Sequence, residues 1–488
     1  MRRLLLLAAS LIGLTAGAQN TLQRAVEQMA GKPALKGALV GVSIRKADGT
    51  RLASLNAGVR MTPASNLKLI TTGTAIHAFG ADHHFRTTLA YTGEIKDGAL
   101  EGDLYIIGGG DPTIGAKDTT ALQSGALFWK WKTLLRKAGI QRIHGRVIGD
   151  GSAYEGLLEH ASWSYDDVGT YYGTGINALC FYENAIDFQV SAGAAAGDPV
   201  NIRQSFPETP WLHFINYAFT GPSGTGNSLY LYTTDLAPYA EMRGTFATDR
   251  RPKVEHFSNK YGDLSCAYAF WKNLKDAGWE VTGGYARIDR SGYITGPDFV
   301  PGEKPAARPV SIGFTESPEL SRMAARTNYE SDNFYAESFY RAMGEAASGN
   351  ACYDSCKVAV IEVLKGLGLS SENGLSQADG SGLSRKNLVS PEWMTSFLVA
   401  MQKSPSFDAF LSSIPAPGDG TLNILKIEGG GSLRLKSGSM EGVLCYSGYV
   451  LDASGKPDKV VAIFTNGVTA PNSQVRAAIA ALLTSLLQ

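Results

Sequence analysis

Strand-like patterns at both ends of the chain constrain its fold more than any other feature. Residues 38–57 (ALVGVSIRKADGTRLASLNA) alternate apolar and polar side chains on either side of Asp48-Gly49, which predicts a β-hairpin. Near the C-terminus, the runs SLRLKSG, VLCYSGYVLD and KVVAIFTNG alternate like neighbouring antiparallel strands, and an apolar-rich helix pattern follows over residues 472–488. One sheet that joins these strands to the hairpin places both chain ends in one domain and makes the middle of the chain an insert.

The middle of the chain has a different character. From about Phe85 to Pro309 it contains short β-like runs, many glycines and one helix-like segment at 126–139. Helical patterns return after Ser317-Pro318 and continue to about Gln402. A chain of 488 residues is longer than a single hydrophobic core supports, so more than one domain is expected. We therefore predict an α/β domain from residues 19–90 and 310–488 with a helical subdomain, and a mostly β insert over residues 91–309.

The N-terminus has the pattern of a signal peptide. Two arginines precede an apolar run from Leu4 to about Leu14, and the small residues Ala16-Gly17-Ala18 follow. Cleavage after Ala18 and export to the periplasm are expected. No later stretch approaches about 18 consecutive apolar residues, so we predict no integral membrane span.

Charge and cysteine content limit the function classes. Lys+Arg and Asp+Glu both number 45, and charged residues make up 18% of the chain, so the basic footprint of a nucleic-acid-binding protein is lacking. Export permits disulfides, and the spacing of Cys352 and Cys356 leaves a local bridge open among the five cysteines. The seven histidines are scattered, and we expect no metal and no cofactor.

A serine three residues ahead of a lysine occurs twice, as Ser43–Lys46 and Ser65–Lys68. Residues i and i+3 point to opposite faces of a strand but share a face of a helix. The first pair lies on the predicted hairpin, so only Ser65 and Lys68 are expected to meet.

The stretch MTPASNLKLITTG predicts the start of a helix, with Thr62 as N-cap, Pro63 at the first helical position and Gly80 as the stop. Ser65 then lies in the first turn, where unpaired N–H groups favour negative charge. Lys68, held among apolar neighbours, would have a lowered pKa and act as a base toward the serine hydroxyl. Taken alone, this motif also fits a surface lysine beside a helix-start serine.

Two further motifs follow in order. Ser331-Asp332-Asn333 lies at a turn between helical patterns, and Lys436-Ser437-Gly438 lies on a predicted strand. The order S-x-x-K, S-x-N and K-S/T-G is the signature of penicillin-recognising serine acyl-enzymes. The chain resembles the S13 serine peptidases, which are D-alanyl-D-alanine carboxypeptidases/endopeptidases of the penicillin-binding protein 4 type. In this chain 266 positions separate Ser65 from Ser331, and that family has a large insert between these two motifs.

Other stretches are similar to those of the same family. They are Gly108–Thr113, Trp163–Asn184, Ala378–Arg385 and Gly418–Thr421. Ser437 stands where most members carry threonine, and the hydroxyl is kept. The implied fold is a penicillin-binding-protein/β-lactamase-like transpeptidase domain, an antiparallel sheet covered by helices, with a helical subdomain and a large insert.

The resemblance also implies a role for each motif residue. Ser65 would be the nucleophile, Lys68 its base and Ser331 a proton relay. The backbone N–H groups of Ser65 and Ser439 would form the oxyanion hole. Asn333 would hold the substrate backbone, and Lys436 with the Ser437 and Ser439 hydroxyls would meet the terminal carboxylate. Gly438 belongs to the same substrate-binding motif. Asp167 would meet the amine of the diamino acid, and Asp379 and Arg385 would shape the pocket floor.

Two of these assignments keep a second interpretation. Asp166 competes with its neighbour Asp167 for the amine. Asp379 is also explained as the first residue of a structural Asp-Gly-Ser-Gly turn.

The implied partners are peptidoglycan stem peptides and, as covalent inhibitors, β-lactam antibiotics; a homodimer is also open. A Ser-His-Asp hydrolase is disfavoured because no G-x-S-x-G elbow is present, so His77 and His144 are interpreted as core or surface residues. A β-lactamase or esterase on the same scaffold and a non-catalytic relative that only binds stem peptides remain as alternatives.

Overall fold

The computed structural model of the protein describes residues 21–487. The predicted signal peptide, residues 1–18, lies outside them. The chain divides into two compact units. Unit 1 joins the chain up to Asp82 with Leu320–Ala336 and with the chain from Lys357 onward, and unit 2 consists of His83–Glu319 and Glu337–Cys356. The sequence placed the insert at 91–309, whereas unit 2 begins eight residues earlier, ends ten residues later and also includes the segment Glu337–Cys356.

The elements are numbered in chain order. The strands are β1 Leu39–Lys46, β2 Arg51–Leu55, β3 Arg86–Tyr91, β4 Glu94–Lys96, β5 Ala99–Glu101, β6 Leu104–Ile107, β7 Arg142–Ile143, β8 Val147–Asp150, β9 Ala185–Ser191, β10 Asn201–Phe206, β11 His213–Asn216, β12 Phe219–Gly221, β13 Tyr230–Thr234, β14 Ala237–Arg243, β15 Thr245–Ala247, β16 Lys253–Ser258, β17 Tyr285–Ile288, β18 Ile294–Thr295, β19 Val310–Glu316, β20 Leu375–Ser376, β21 Leu388–Val389, β22 Leu433–Met440, β23 Val443–Leu451 and β24 Pro457–Asn466. The helices are α1 (21–30), α2 Lys68–Phe79, α3 Ser124–Lys137, α4 Gly262–Asp276, α5 Leu320–Tyr329, α6 Asn333–Ser348, α7 Tyr353–Gly366, α8 Pro391–Met401, α9 Phe407–Ser412 and α10 Asn472–Ser485. Over residues 21–487, no helix combines the length and the apolar character needed to cross a membrane.

Unit 1 is built on a five-stranded sheet in the order β2-β1-β24-β23-β22. Every pair in it is antiparallel, which confirms the predicted sheet from both chain ends. On one face, α1 and α10 contribute Val26, Val475 and Ile479 to a core with Val42 and Ile463 of the sheet. Burial of these apolar side chains is the main force that holds the two distant ends of the chain together.

The other face of this sheet is covered by α8. The hydroxyls of Ser43 and Thr395 lie 2.8 Å apart, and the Tyr449 hydroxyl donates to the Leu398 carbonyl at 2.8 Å. Ser43 is therefore a buried structural serine.

A helical part of unit 1 packs around α2. The side-chain amide of Asn328 on α5 donates to Thr72 of α2 at 3.1 Å and to Ser413, the residue after α9, at 3.0 Å. These hydrogen bonds are buried and link three chain segments that lie far apart in the sequence. This is the predicted helical subdomain.

The start of α2 differs from the prediction. A 3-10 helix over Ala64–Leu67 precedes α2, its cap position is Pro63, and no side chain caps it. The expectation of Thr62 as N-cap is wrong. The Asn466 side chain accepts from the Thr62 N–H at 2.9 Å and donates to the Thr62 carbonyl at 3.1 Å. These two hydrogen bonds hold Thr62 against β24. The helix ends at Gly80 as predicted, with φ at 91°.

Unit 2 contains several sheets. The largest is six-stranded in the order β18-β17-β8-β6-β3-β19, and two three-stranded sheets have the orders β10-β9-β16 and β11-β14-β13. Helices α3 and α4 supply Trp131 and Phe270 to the core beside the six-stranded sheet. A second core lies beneath the two smaller sheets and includes Phe188, Met242 and Phe246.

The cysteines of the described chain are free thiols. Cys352 Sγ lies 3.3 Å from the Ser355 hydroxyl, and Cys356 Sγ donates to the Ala351 carbonyl at 3.3 Å. The local Cys352–Cys356 bridge that the spacing left open is therefore not formed.

Candidate active site

Ser65 and Lys68 meet at the start of α2. Lys68 Nζ lies 3.0 Å from Ser65 Oγ and donates to it. Ser65 is partly exposed, whereas Lys68 is fully buried. The prediction that this pair, and not Ser43–Lys46, shares one face is confirmed.

Two more acceptors hold the Lys68 amine. Its Nζ donates to the side-chain oxygen of Asn333 at 2.6 Å and to the Ser381 carbonyl at 2.7 Å. An ammonium group has three donors, and the oxygens of Ser65, Asn333 and Ser381 can each accept one of them. The amine is thus oriented from three sides, and one of those sides is the serine hydroxyl.

Ser331 and Lys436 form a second serine–lysine pair. Lys436 Nζ donates to Ser331 Oγ at 2.9 Å and to the Ser437 carbonyl at 2.7 Å. Burial, and then the charge of Lys68, lower the pKa of Lys436 well below its usual range. Burial therefore destabilises the charged form of Lys436, and an anion beside it would stabilise that form.

The turn that carries Ser331 is fixed by its middle residue. Arg326 donates to Asp332 Oδ2 from two nitrogens at 3.0 and 3.1 Å, and Asp332 Oδ1 accepts from the Tyr335 N–H at 3.2 Å in the first turn of α6. Ser331 itself has φ at 59°, a conformation that costs a non-glycine residue of the order of 1 kcal/mol. Asp332 thus positions Ser331 and Asn333, which flank it.

Strand β22 packs directly against the segment that carries Ser65. The Asn66 side-chain amide donates to the Lys436 carbonyl at 3.1 Å. A Cβ atom on Gly438 would lie 2.4 Å from the Pro63 carbonyl oxygen, so glycine is needed for this approach. Because β22 is the last strand of its sheet, its outer edge can receive an extended peptide as an added strand.

The other residues of the third motif lie along β22. The Ser437 hydroxyl is 2.9 Å from that of Thr421, which belongs to the Gly418–Thr421 stretch. Ser439 is exposed, two residues further along the strand, and pairs with Leu444 of β23.

Asp379 is a buried turn residue. Its carboxylate accepts from the N–H groups of Gly382 and Ser384 at 2.8 and 2.7 Å and from the Asn387 amide at 2.7 Å. These contacts support the structural interpretation of the turn. Arg385 is exposed, and its guanidinium lies 3.4 Å from the Glu441 carbonyl oxygen.

This turn also contributes a contact that sequence reasoning missed. It presents the Ser381 carbonyl to Lys68, and a Cβ on Gly382 would lie 2.1 Å from the Ala64 carbonyl oxygen. The stretch Ala378–Arg385 is similar to a stretch of the family, but every residue has a backbone carbonyl, so the residue types do not indicate which carbonyl contacts Lys68. The sequence did not single out the amide of Asn66, inside the S-x-x-K motif, for the same reason, since its partner is a backbone carbonyl of strand β22.

The two candidate acids for the amine lie in unit 2. The Tyr172 hydroxyl donates to Asp167 Oδ1 at 3.2 Å, and the Ser164 hydroxyl donates to Asp166. Asp166 is exposed and Asp167 half-buried. The remaining predicted site residues, from Ser65 to Ser439, belong to unit 1.

Comparison with known proteins identifies the family. The model of the D-Ala-D-Ala carboxypeptidase 3 (S13) family matches residues 22–486. The chain belongs to the S13 family. Among similar proteins, the D-alanyl-D-alanine carboxypeptidase of Actinomadura sp. (strain R39) is 28% identical over 470 residues, covering 93% of this chain and 83% of the relative. The D-alanyl-D-alanine carboxypeptidase DacB of Haemophilus influenzae is 26% identical over 440 residues, covering 85% and 82%.

The fold of this S13 peptidase is that of a solved relative. The crystal structure of penicillin-binding protein 4 from Haemophilus influenzae superposes with a TM-score of 0.79 at 24% identity and covers 95% of this chain and 98% of that one. A second crystal structure of that protein, complexed with a β-lactam, gives a TM-score of 0.74 at 23% identity. The predicted fold class is confirmed. As an S13 member, the chain is a serine-type D-Ala-D-Ala carboxypeptidase that acts on peptidoglycan.

Proposed function

We propose that Ser65 is the acylating nucleophile of this D,D-peptidase and that Lys68 is its base. The observation that carries the proposal is the 3.0 Å contact between Ser65 Oγ and a fully buried Lys68 Nζ. Lys68 in its neutral form takes the hydroxyl proton as Oγ attacks the carbonyl carbon between two D-alanines. The developing oxyanion is received by the N–H groups of Ser65 and Ser439, a stabilisation of roughly 2.7–4 kcal/mol per donor in other enzymes.

Ser331 serves the leaving group in this proposal. Collapse of the tetrahedral intermediate breaks the C–N bond, and the departing amine needs a proton. The Ser331 hydroxyl gives its proton to that amine and recovers one from Lys436, whose Nζ is 2.9 Å away. Water then attacks the acyl-enzyme, and the proton transfers run in reverse to release the shortened peptide.

The substrate is placed by β22 and by Asn333. An extended stem peptide adds to the outer edge of β22, and Asn333 holds its backbone from the opposite side. The terminal carboxylate meets Lys436 and the hydroxyls of Ser437 and Ser439. An anion in this position favours the charged form of Lys436, so binding of the carboxylate is coupled to proton uptake by a lysine whose pKa burial has lowered.

The wider role follows from the family and the sequence pattern. We propose that the protein is exported to the periplasm, where it trims D-Ala-D-Ala ends and cleaves D-Ala cross-links, with Asp167 or Asp166 meeting the amine of the diamino acid. β-Lactams would acylate Ser65 because their strained amide takes the place of the D-Ala-D-Ala bond. Association into a homodimer stays a prediction.

Intact mass measurement after incubation with benzylpenicillin tests the nucleophile. The native protein should carry one persistent adduct, and Ser65→Ala should carry none. Ser43→Ala is the matched control, because it removes the other S-x-x-K serine, and it should be acylated like the native protein. An adduct on Ser65→Ala, or none on the native protein, would contradict the proposal; turnover of penicillin without an adduct would indicate a β-lactamase.

A further inference from the structure

Unit 2 presents a row of aromatic side chains on the sheet β11-β14-β13. Residues two apart on a strand share a face, so Tyr230 and Tyr232 of β13 point the same way. In the register of the sheet, Tyr230 lies opposite Arg243 and Tyr232 opposite Glu241. Tyr239 is on the same face of β14, two residues before Glu241. This face therefore carries three tyrosines, one pair of opposite charges and, on β11, His213, whose ring stacks on that of Tyr239 with centres 4.9 Å apart.

The opposite face of the sheet already supplies the core. Leu231, Ala240 and Met242 are at most 2% exposed and pack with Phe188 and Phe246. The tyrosine face is thus not part of this core. Its exposed aromatic area requires another explanation, because contiguous exposed patches of this kind mark binding surfaces.

The aromatic side chains form a groove. Tyr165, from the loop before β9, stacks on Tyr232 with ring centres 5.6 Å apart, and it is 64% exposed. Tyr239 is 55% exposed. Between them lies a groove of about 450 Å³, lined also by Glu241 and Arg243, whose side chains form an ion pair at 2.8 Å. The groove combines flat apolar rings with a neutral pair of hydrogen-bonding groups.

We propose that this tyrosine groove binds the glycan strand of peptidoglycan. A pyranose ring has an apolar C–H face and a rim of hydroxyl and amide groups, and it matches aromatic rings with polar tips beside donors and acceptors. Glu241 and Arg243 together supply acceptors and donors for the hydroxyl and amide groups of an amino-sugar polymer. The inference rests on the proposed function, because the stem peptide that the enzyme hydrolyses is covalently attached to such a strand.

The groove adjoins the loop assigned to the stem peptide. Tyr165 precedes Asp166 and Asp167 directly, the two acids proposed to meet the amine. Burial, followed by the nearby Asp166 carboxylate, raises the pKa of Tyr230, so Asp166 lies beside the tyrosine row. A glycan in the groove would therefore have its stem peptide attached close to these acids.

The test compares two ligands and one control variant. The full-length native protein and the double variant Tyr232→Thr/Tyr239→Thr are each titrated by calorimetry with two ligands. One is glycan strands freed of peptides by an amidase, and the other is a soluble β-1,4-linked N-acetylglucosamine oligomer. Threonine suits a strand, so the fold should be retained. Trp129→Ala is the control, since Trp129 is 62% exposed on α3 in the same unit. Hydrolysis of a soluble tripeptide ending in D-Ala-D-Ala is measured in parallel.

We expect the double variant to bind both glycan ligands about tenfold more weakly, because it loses two stacking rings, while Trp129→Ala and tripeptide hydrolysis are unchanged. Equal binding by native protein and double variant, or no binding by the native protein, would overturn the proposal. A native dimer that the double variant converts to a monomer, without glycan binding, would instead make this face a self-association surface. Glycan binding without tripeptide hydrolysis would refute the proposed function but support the glycan-binding role of the groove.

Discussion

The contact between Gly438 and the Ser65 segment allows a quantitative prediction. In Gly438→Ala, the new Cβ would lie 2.4 Å from the Pro63 carbonyl oxygen and 2.8 Å from the Asn66 N–H nitrogen. Ordinary contacts of this type begin at 3.4 Å. Both blocking atoms are backbone, so the strand or the segment 63–66 has to move by about 1 Å.

This displacement separates the two proposed oxyanion donors. The N–H of Ser65 belongs to the moving segment, and that of Ser439 follows Gly438 on β22. A misplacement of about 1 Å costs roughly 10²-fold in rate, or about 2.7 kcal/mol of transition-state stabilisation. The fold should survive, because overpacking of a buried site costs about 1–3 kcal/mol of unfolding free energy.

The assay is kcat/KM for a tripeptide ending in D-Ala-D-Ala, together with the second-order rate of acylation by benzylpenicillin. Gly431→Ala is the control, since a Cβ there meets no atom within 4 Å. Thermal unfolding of both variants is recorded first. Activity of Gly438→Ala within threefold of Gly431→Ala, with both folded, would refute the reasoning.

Three further predictions concern the same site. Ser331→Ala should slow acylation by benzylpenicillin about 10²–10⁴-fold, as loss of a proton relay does, whereas an unchanged rate would exclude that role. For substrates with a free carboxylate, kcat/KM should fall as the pH rises through the lowered pKa of Lys436, because deprotonation removes the positive charge that attracts the carboxylate. A substrate whose terminal carboxylate is replaced by an amide, measured in parallel, should not show this fall. Asp379→Ala leaves three buried donors, one of them on Asn387, without their acceptor. It should lower the unfolding free energy, measured by urea denaturation, by at least about 3 kcal/mol. Arg385→Ala is the control and should change this free energy by no more than about 0.5 kcal/mol.

Local patterns in the sequence predicted most of the fold of unit 1. Alternation of apolar and polar residues gave the hairpin, and the same pattern near the C-terminus gave the strands that pair with it, because a strand repeats every two residues whatever its partners. Helix geometry alone selected Ser65–Lys68 over Ser43–Lys46. The start of α2 was missed because Asn466, 404 positions from Thr62, determines how the chain enters it.

The sequence by itself determined which residue types carry the chemistry and in what order they occur. Only the tertiary structure decided that the Ser381 carbonyl, 313 positions from Lys68, completes the surroundings of the amine, and that Lys436 reaches Ser331. It also decided that Asp379 fixes a turn and that the tyrosines of β13 and β14 form one face. The physical reason is that hydrogen bonds and desolvation act over a few ångströms in space. Residues distant in sequence therefore determine each other's chemistry only after the core has brought them together.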